Sequence, residues 1–175
     1  MEIKIKSLKR WNININLVKA TLENANEIHQ MQVITFKPLL EKYQDYDLNP
    51  GNEKLERTIS RLKEEITDYY LIKLNSESIG GIRIRRYEEG NLCKVGPLFI
   101  LPEYQNKGIA QNIFKIIEEK YKPKNGWILD TILQEKGNCH LYEKIGYRKT
   151  GKIETINERM DIVYYEKRNV YKQEE

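Results

Sequence analysis

Within this 175-residue chain, the run Pro102-Glu103-Tyr104-Gln105-Asn106-Lys107-Gly108-Ile109-Ala110 is the segment whose residue types and spacing best suit ligand chemistry. It lies where an apolar stretch, Leu92 to Leu101, gives way to helical spacing at Ile109, Ile113, Ile116 and Ile117. A helix start presents backbone N–H groups without intrahelical partners and the positive end of the macrodipole, so it binds phosphate with few charged side chains. Gly108 permits close approach, Ala110 keeps the helix tight against a ligand, and Lys107 adds a charge. No G-K-S/T follows, which excludes a Walker A loop, and the second and third glycines of a dinucleotide fingerprint are missing. Taken alone, the turn reads equally well as an ordinary loop with a glycine. Glu41, Tyr43, Asp45, Tyr46 and Asp47 form the second feature, in the most acidic loop of the chain. Their charge and aromatic faces can attract a cationic amine, or the loop is simply solvated.

The elements that must position these residues follow from periodicity. Ile13 to Ala20 alternates as a strand with one polar face, and Thr21 caps a helix beginning at Leu22. Pro38 is expected to stop that helix soon after Phe36, leaving Lys37 to Asn52 as a loop. Leu55, Ile59, Leu62 and Ile66 predict an amphipathic helix. Three strands are predicted over Tyr69 to Leu74, Ser78 to Tyr87 and Leu92 to Leu101, joined by turns too short for parallel crossovers. The helix from Ile109 ends near Pro123 and is followed by a strand over Trp127 to Leu133, which implies a parallel β-α-β crossover. A short helix over Gly137 to Ile145 ends on Gly146, and two strands, Tyr147 to Thr155 and Arg159 to Glu166, complete the order β-α-α-β-β-β-α-β-α-β-β. The expected fold class is α/β, an α+β mixed sheet with helices on both faces. It forms a single domain over residues 1–175, with its core at about 13–166 and a frayed tail at 168–175.

Composition narrows the classes. Basic and acidic residues number 30 and 26, so self-repulsion is small and disorder is not expected despite 32% charged residues. Residues 1–20 hold five basic residues against Glu2, which accounts for the entire net charge of +4. That basic amino-terminal edge, residues 1–12, lacks interleaved aromatics and a recognition helix, so a solvated strand edge is favoured and nucleic acid is not an expected partner. Cys93 and Cys139 stand apart without a histidine cluster, which argues against zinc or other metal and against a disulfide framework. No window reaches the roughly 20 apolar residues of a membrane span, and a cytoplasmic protein with no membrane partner is the expectation.

Two segments carry a family resemblance. Gln105-Asn106-Lys107-Gly108-Ile109-Ala110 matches the Q/R-x-x-G-x-G/A turn of the GNAT family of N-acetyltransferases. Leu141-Tyr142-Glu143-Lys144-Ile145-Gly146-Tyr147 is similar to that family's L-Y-E-K-x-G-F/Y segment. The resemblance runs from about Ile13 to Glu166 and implies a GNAT-like fold of about seven mostly antiparallel strands. It also implies acetyl coenzyme A, or coenzyme A, as cosubstrate, without a metal. By resemblance, backbone groups of Leu98, Phe99 and Ile100 pair with the pantetheine arm, and N–H groups from Gln105, Asn106, Lys107, Gly108, Ile109 and Ala110 hold the pyrophosphate.

The same resemblance makes Tyr142 the acid that protonates the departing thiolate, a role suited to a phenol that stays protonated at neutral pH. Acetyl transfer needs a neutral amine and hence a base. Relatives place one on the fourth strand, where this chain has Lys94 and Val95, or on the fifth, where Asp130 stands twelve before Tyr142. Asp130 shares a face with Ile128 and Ile132, and burial there would raise its pKa toward that of a useful base; Glu135 is the second candidate. The pantetheine-contacting asparagine of relatives is replaced by Glu135, and Asn138 takes its place as a cofactor contact. Cys139 matches no acyl-carrying nucleophile, which favours direct transfer in a ternary complex.

The implied activity is an N-acetyltransferase acting on a primary amine, either a small cationic amine or a protein amino group, with Glu41, Tyr43, Asp45 and Tyr46 as acceptor contacts. A coenzyme A-binding sensor without turnover stays open beside it, as does the oligomeric state, a homodimer included.

Overall fold

The computed structural model describes residues 2–4 and 15–168. Its elements are β1 (Glu2–Lys4), β2 (Ile15–Lys19), α1 (Ala25–Tyr43), α2 (Leu55–Lys63), β3 (Thr67–Leu74), β4 (Glu77–Tyr87), β5 (Leu92–Ile100), α3 (Ile109–Tyr121), β6 (Gly126–Ile132), α4 (Lys136–Lys144), β7 (Arg148–Asn157) and β8 (Met160–Lys167). From β2 onward this is the expected order, and β1 adds an eighth strand. The rest of the basic edge, Ile13 and the tail beyond Arg168 lie outside the described residues. The fold is mixed α/β with mostly antiparallel pairing.

The chain gathers into two compact units. One comprises residues up to Ile84 together with Gly96–Ala110; the other comprises Arg85–Val95 and the chain from Gln111. In the first, β1 is the edge strand and pairs antiparallel with β2, which pairs antiparallel with β3 at rungs such as Leu17↔Ile72. Its core packs Ile28 and Met31 of α1 against Tyr69 and Leu71 of β3 and Phe99 of β5. Asn16 is also buried, so the face of β2 expected to be polar is covered there.

Two helix boundaries differ from expectation. Helix α1 runs through Pro38 to Tyr43 and ends on Gln44, a left-handed cap whose N–H donates to Leu40 O at 2.8 Å. Proline in a helix interior costs about 3 kcal/mol or more through one lost hydrogen bond and a ring clash. Here the last turn buries Tyr43 to 2% exposure, which supplies the opposing apolar gain. Helix α2 stops at Lys63, so Ile66 lies in a turn and is exposed. The residues that α2 buries fully are Thr58 and Arg61, while Leu55, Ile59 and Leu62 of the predicted apolar stripe are half-buried, Leu62 against the core.

Arg61 is buried because it has a fixed partner. Its Nη1 and Nη2 meet the Glu53 carboxylate at 2.7 and 2.5 Å, and Gln32 Nε2 donates to Glu53 Oε2 at 2.9 Å. Gln32 Nε2 also reaches Pro50 O at 2.9 Å, and His29 Nε2 lies 2.8 Å from Glu53 O, so the segment before α2 is tied to α1.

In the second unit, Leu92–Lys94 of β5 run parallel to Gly126–Ile128 of β6. β6 pairs antiparallel with β8, and β8 with β7 at the edge. The parallel pair is joined through α3, which is the expected β-α-β crossover. Phe114, Trp127, Leu129, Tyr147 and Tyr165 are among its buried residues. Gly146 has a φ of 95° just after α4, the left-handed exit that its glycine predicted.

Candidate functional site

The candidate cofactor turn belongs to the first unit. Strand β5 can lie close to β4 because Gly80 has no side chain: a Cβ there would overlap the main chain of Phe99 and Ile100. Arg83 Nε donates to Gly96 O at 2.7 Å, and Leu101 N–H donates to Ile79 O at 2.8 Å, so both ends of this stretch are held. Phe99 and Ile100 bury their side chains, while Leu98 is half-buried. Core packing by these side chains leaves the backbone role expected of them untouched.

After one 3-10 turn at Pro102–Tyr104, Gln105 Nε2 folds back to donate to Ile100 O at 2.8 Å. Its side chain therefore braces the strand exit. Tyr104 OH donates to Glu77 Oε2 at 3.0 Å, and Lys107 Nζ lies 5.5 Å from the Tyr104 ring centroid. Asn106 and Gly108 take left-handed φ values of 59° and 76°, and α3 starts at Ile109. A Cβ on Gly108 would point into open space, on an exposed turn that leads into the first-turn N–H groups of Ile109 and Ala110. An anionic pyrophosphate fits this arrangement, through Asn106, Lys107, Gly108, Ile109 and Ala110.

The chemical groups belong to the second unit. Tyr142, on α4, sits in an aromatic cage, with ring centroids 5.7 Å from Phe114, 5.9 Å from Tyr165 and 6.3 Å from Tyr147. Burial in that cage pushes its phenol well above the ordinary tyrosine value, and the charge of Asp130 pushes it further. Tyr142 is thus held protonated, and Asp130 is close enough for its field to be felt.

Asp130 does not occupy the apolar setting expected of it. The buried face of β6 carries Trp127 and Leu129, whereas Ile128, Asp130 and Ile132 share a half-exposed face. The Asp130 carboxylate is ion-paired with the ammonium of Lys94 on β5, and the two side chains are 33% and 32% exposed. Across the next ladder Asp130 stands opposite Tyr164, whose hydroxyl donates to Glu154 Oε2 at 2.6 Å. That hydrogen bond is the first cause raising the Tyr164 phenol to about 12, with the Asp130 charge contributing less. Lys152 Nζ covers the same ring at 4.2 Å. The Lys94–Asp130 pair on β5 and β6 thus lies beside a second polar cluster, Tyr164, Glu154 and Lys152, on β8 and β7.

Glu135 is the residue before α4 and receives the N–H groups of Asn138 and Cys139 at 3.0 and 3.2 Å through its carbonyl. Asn138 and His140 are exposed, and Cys139 is buried and free of a disulfide. The acceptor contacts proposed from the acidic loop separate. Glu41 and Tyr43 are in α1, where Glu41 is exposed but Tyr43 is core. Asp45 is buried and accepts Leu48 N–H at 3.0 Å, which spends it on its own turn, while Tyr46 is 60% exposed.

Sequence reasoning named Lys94 only as a departure and missed it as the partner of Asp130. The signal was the parallel pairing of β5 with β6, whose register can be set only by structure. Among the described residues, no group of three or more His, Cys, Asp or Glu is placed to hold a metal, and no helix is long and apolar enough to cross a membrane.

Residues 39–168 match a family described as acetyltransferase (GNAT) domain. No curated protein matches the chain. Among solved structures, similarity extends to a Salmonella typhimurium acetyltransferase that modifies the N-terminal serine of a ribosomal subunit protein (15% identity, 89% of this chain, 95% of that one, TM-score 0.69). It extends also to a Vibrio cholerae spermidine N-acetyltransferase in complex with CoA and spermine (15%, 87%, 94%, 0.69). A microcin self-immunity acetyltransferase in complex with acetyl-CoA and AMP is similar at 16% identity, covering 89% and 92%, with a TM-score of 0.68. At such identities the likeness is one of fold.

Proposed function

The chain belongs to the GNAT acetyltransferase family, and on that premise we propose that it moves an acetyl group from acetyl-CoA to a primary amine by direct transfer in a ternary complex. The family match spans residues of both units, which supports reading the chain as one acetyltransferase domain. The observation that carries the mechanism is the position of Asp130, a carboxylate bound to a primary ammonium while its field acts on the Tyr142 phenol.

Acetyl-CoA supplies an activated thioester. The turn Asn106–Ala110 holds its pyrophosphate through backbone N–H groups and the helix start, with Gln105 bracing the turn and Lys107 adding charge. Leu98, Phe99 and Ile100 offer main-chain groups to the pantetheine, and Asn138 a side-chain amide. Asp130 accepts a proton from the incoming ammonium, because a protonated amine has no lone pair with which to attack; Glu135 is the alternative base. Tyr142 donates its phenolic proton to the leaving thiolate. The acceptor, a small cationic amine or a protein amino group, is drawn in part by the exposed Glu41 and Tyr46. Tyr43 and Asp45 are proposed only to shape the surface beneath.

A panel of amines and peptides assayed for release of coenzyme A thiol tests this reading. Continuous, multiple-turnover thiol release that requires an added amine supports it. Tight binding of acetyl-CoA with no thiol release across the panel would replace it with the sensor reading.

A further inference from the structure

The Lys94–Asp130 pair already has the form of a bound acceptor: a primary ammonium held against the carboxylate that deprotonates amines in the proposed mechanism. Lys94 is held there by the β5–β6 ladder, in which it stands directly opposite Ile128, two residues before Asp130. The other groups facing this carboxylate do not replace it. Tyr164, opposite Asp130 on β8, commits its hydroxyl to Glu154, and Lys152 lies over the Tyr164 ring. Both members of the pair are about one-third exposed, so neither is sealed from a reagent. A nucleophile fixed in register with its base needs no bimolecular encounter, which is the basis of large effective molarities.

We propose that Lys94 is itself an acetyl acceptor, modified in cis by this active site when no external amine is present. The inference rests on the acetyltransferase reading. In the reaction, Asp130 takes one proton from the Lys94 ammonium, and the freed lone pair forms a C–N bond to the thioester carbonyl carbon. The C–S bond breaks and sulfur leaves with the bonding pair. Tyr142 protonates the thiolate and recovers a proton from the second N–H that nitrogen gives up as the amide forms. The proton held by Asp130 passes to solvent. One ammonium and one acetyl thioester thus become one acetamide, one thiol and one released proton. The product carries no charge at Lys94, so Asp130 loses its ion pair and is released to receive the ammonium of an external acceptor.

The test is to incubate the full chain with acetyl-CoA alone, following thiol release and mapping acetylated peptides by mass spectrometry. The expected result is a burst of about one thiol per chain and acetylation of Lys94 at least about 10-fold faster than of the exposed Lys107 and Lys152. The burst disappears in Lys94→Arg, which keeps the cation, and slows in Tyr142→Phe and in the denatured chain. Lys94 left unmodified, or modified no faster than Lys107 and Lys152, would overturn the proposal. If the same chain releases thiol with an added amine, the acetyltransferase reading survives that result. If it does not, both fall together.

Discussion

Lys94 and Asp130 stand on adjacent parallel strands with their charges paired, so the carboxylate proposed as base is occupied by an ammonium before any acceptor arrives. An exchange of one ammonium for another costs little, because a pair this exposed contributes only about 0.2–1 kcal/mol. The acceptor therefore need not break a strong interaction to reach Asp130. Tyr142 packs its ring against Phe114, Tyr147 and Tyr165 and is itself half-buried.

Asp130→Asn is expected to lower kcat for thiol release by about 10²–10⁴-fold at neutral pH, with little change in KM for acetyl-CoA. The deficit should narrow as pH approaches the pKa of a free amine, about 10, because the acceptor then deprotonates without help. Steady-state kinetics across pH decide this. A deficit that stays constant would assign Asp130 a structural role and turn attention to Glu135.

Tyr142→Phe should reduce kcat by roughly 10²-fold or more while acetyl-CoA still binds. Burial raises the phenol above its ordinary value, so its protonated form persists as pH rises. Activity should accordingly show no fall attributable to Tyr142 below about pH 10. Binding by calorimetry beside the kinetics separates lost acid catalysis from lost cosubstrate.

Gly108→Ala tests the turn. Its φ of 76° is strained for any residue with a Cβ, at about 1–2 kcal/mol, and the added methyl would project into the open space offered to the pyrophosphate. Acetyl-CoA affinity should drop, with kcat at saturation largely kept. Unchanged affinity would mean that the pyrophosphate is held elsewhere.

Much of this fold is legible in the chain because local periodicity and turn chemistry agree. The strand exit at Leu101, the helix start at Ile109 and the exit at Gly146 all lie within a few residues of their predicted places. What fails is governed by long-range packing. The local cost of Pro38 is visible in the sequence and predicts a stop, while the burial of Tyr43 beyond it is not visible there. Composition marks the acidic loop as either an acceptor surface or a solvated segment, and does not reveal that Asp45 is consumed by its own turn, where it accepts Leu48 N–H. Gln105 and Tyr142 stand out only through the resemblance of their segments to those of the family, whereas the Lys94–Asp130 pair requires the β5–β6 register.

Alkaline stability should report the buried phenols. Tyr69 and Tyr147 are each 2% exposed, and burial raises both above the ordinary value. Above about pH 10 an unfolded chain ionises these tyrosines while the native chain keeps them protonated. The native state then binds more protons, so stability is intact below pH 10 and falls as pH rises, by about 1.4 kcal/mol per pH unit for each phenol. Urea melts at about pH 9 and about pH 11 measure the slope, which should shrink in Tyr147→Phe.

The Glu53–Arg61 pair should be the most sensitive polar contact of the first unit. Arg61 is 8% exposed and its Nη atoms are satisfied by one carboxylate, which Gln32 also grips. Arg61→Met leaves the Glu53 charge without its partner, and Glu53→Met does the same to Arg61, so each should cost about 3–5 kcal/mol. Replacing both with apolar residues of similar volume should cost much less, since no uncompensated charge is left behind. Urea denaturation of the two single variants and the double variant completes a cycle. Additive costs would show that the pair contributes through packing of its side chains rather than through its charges.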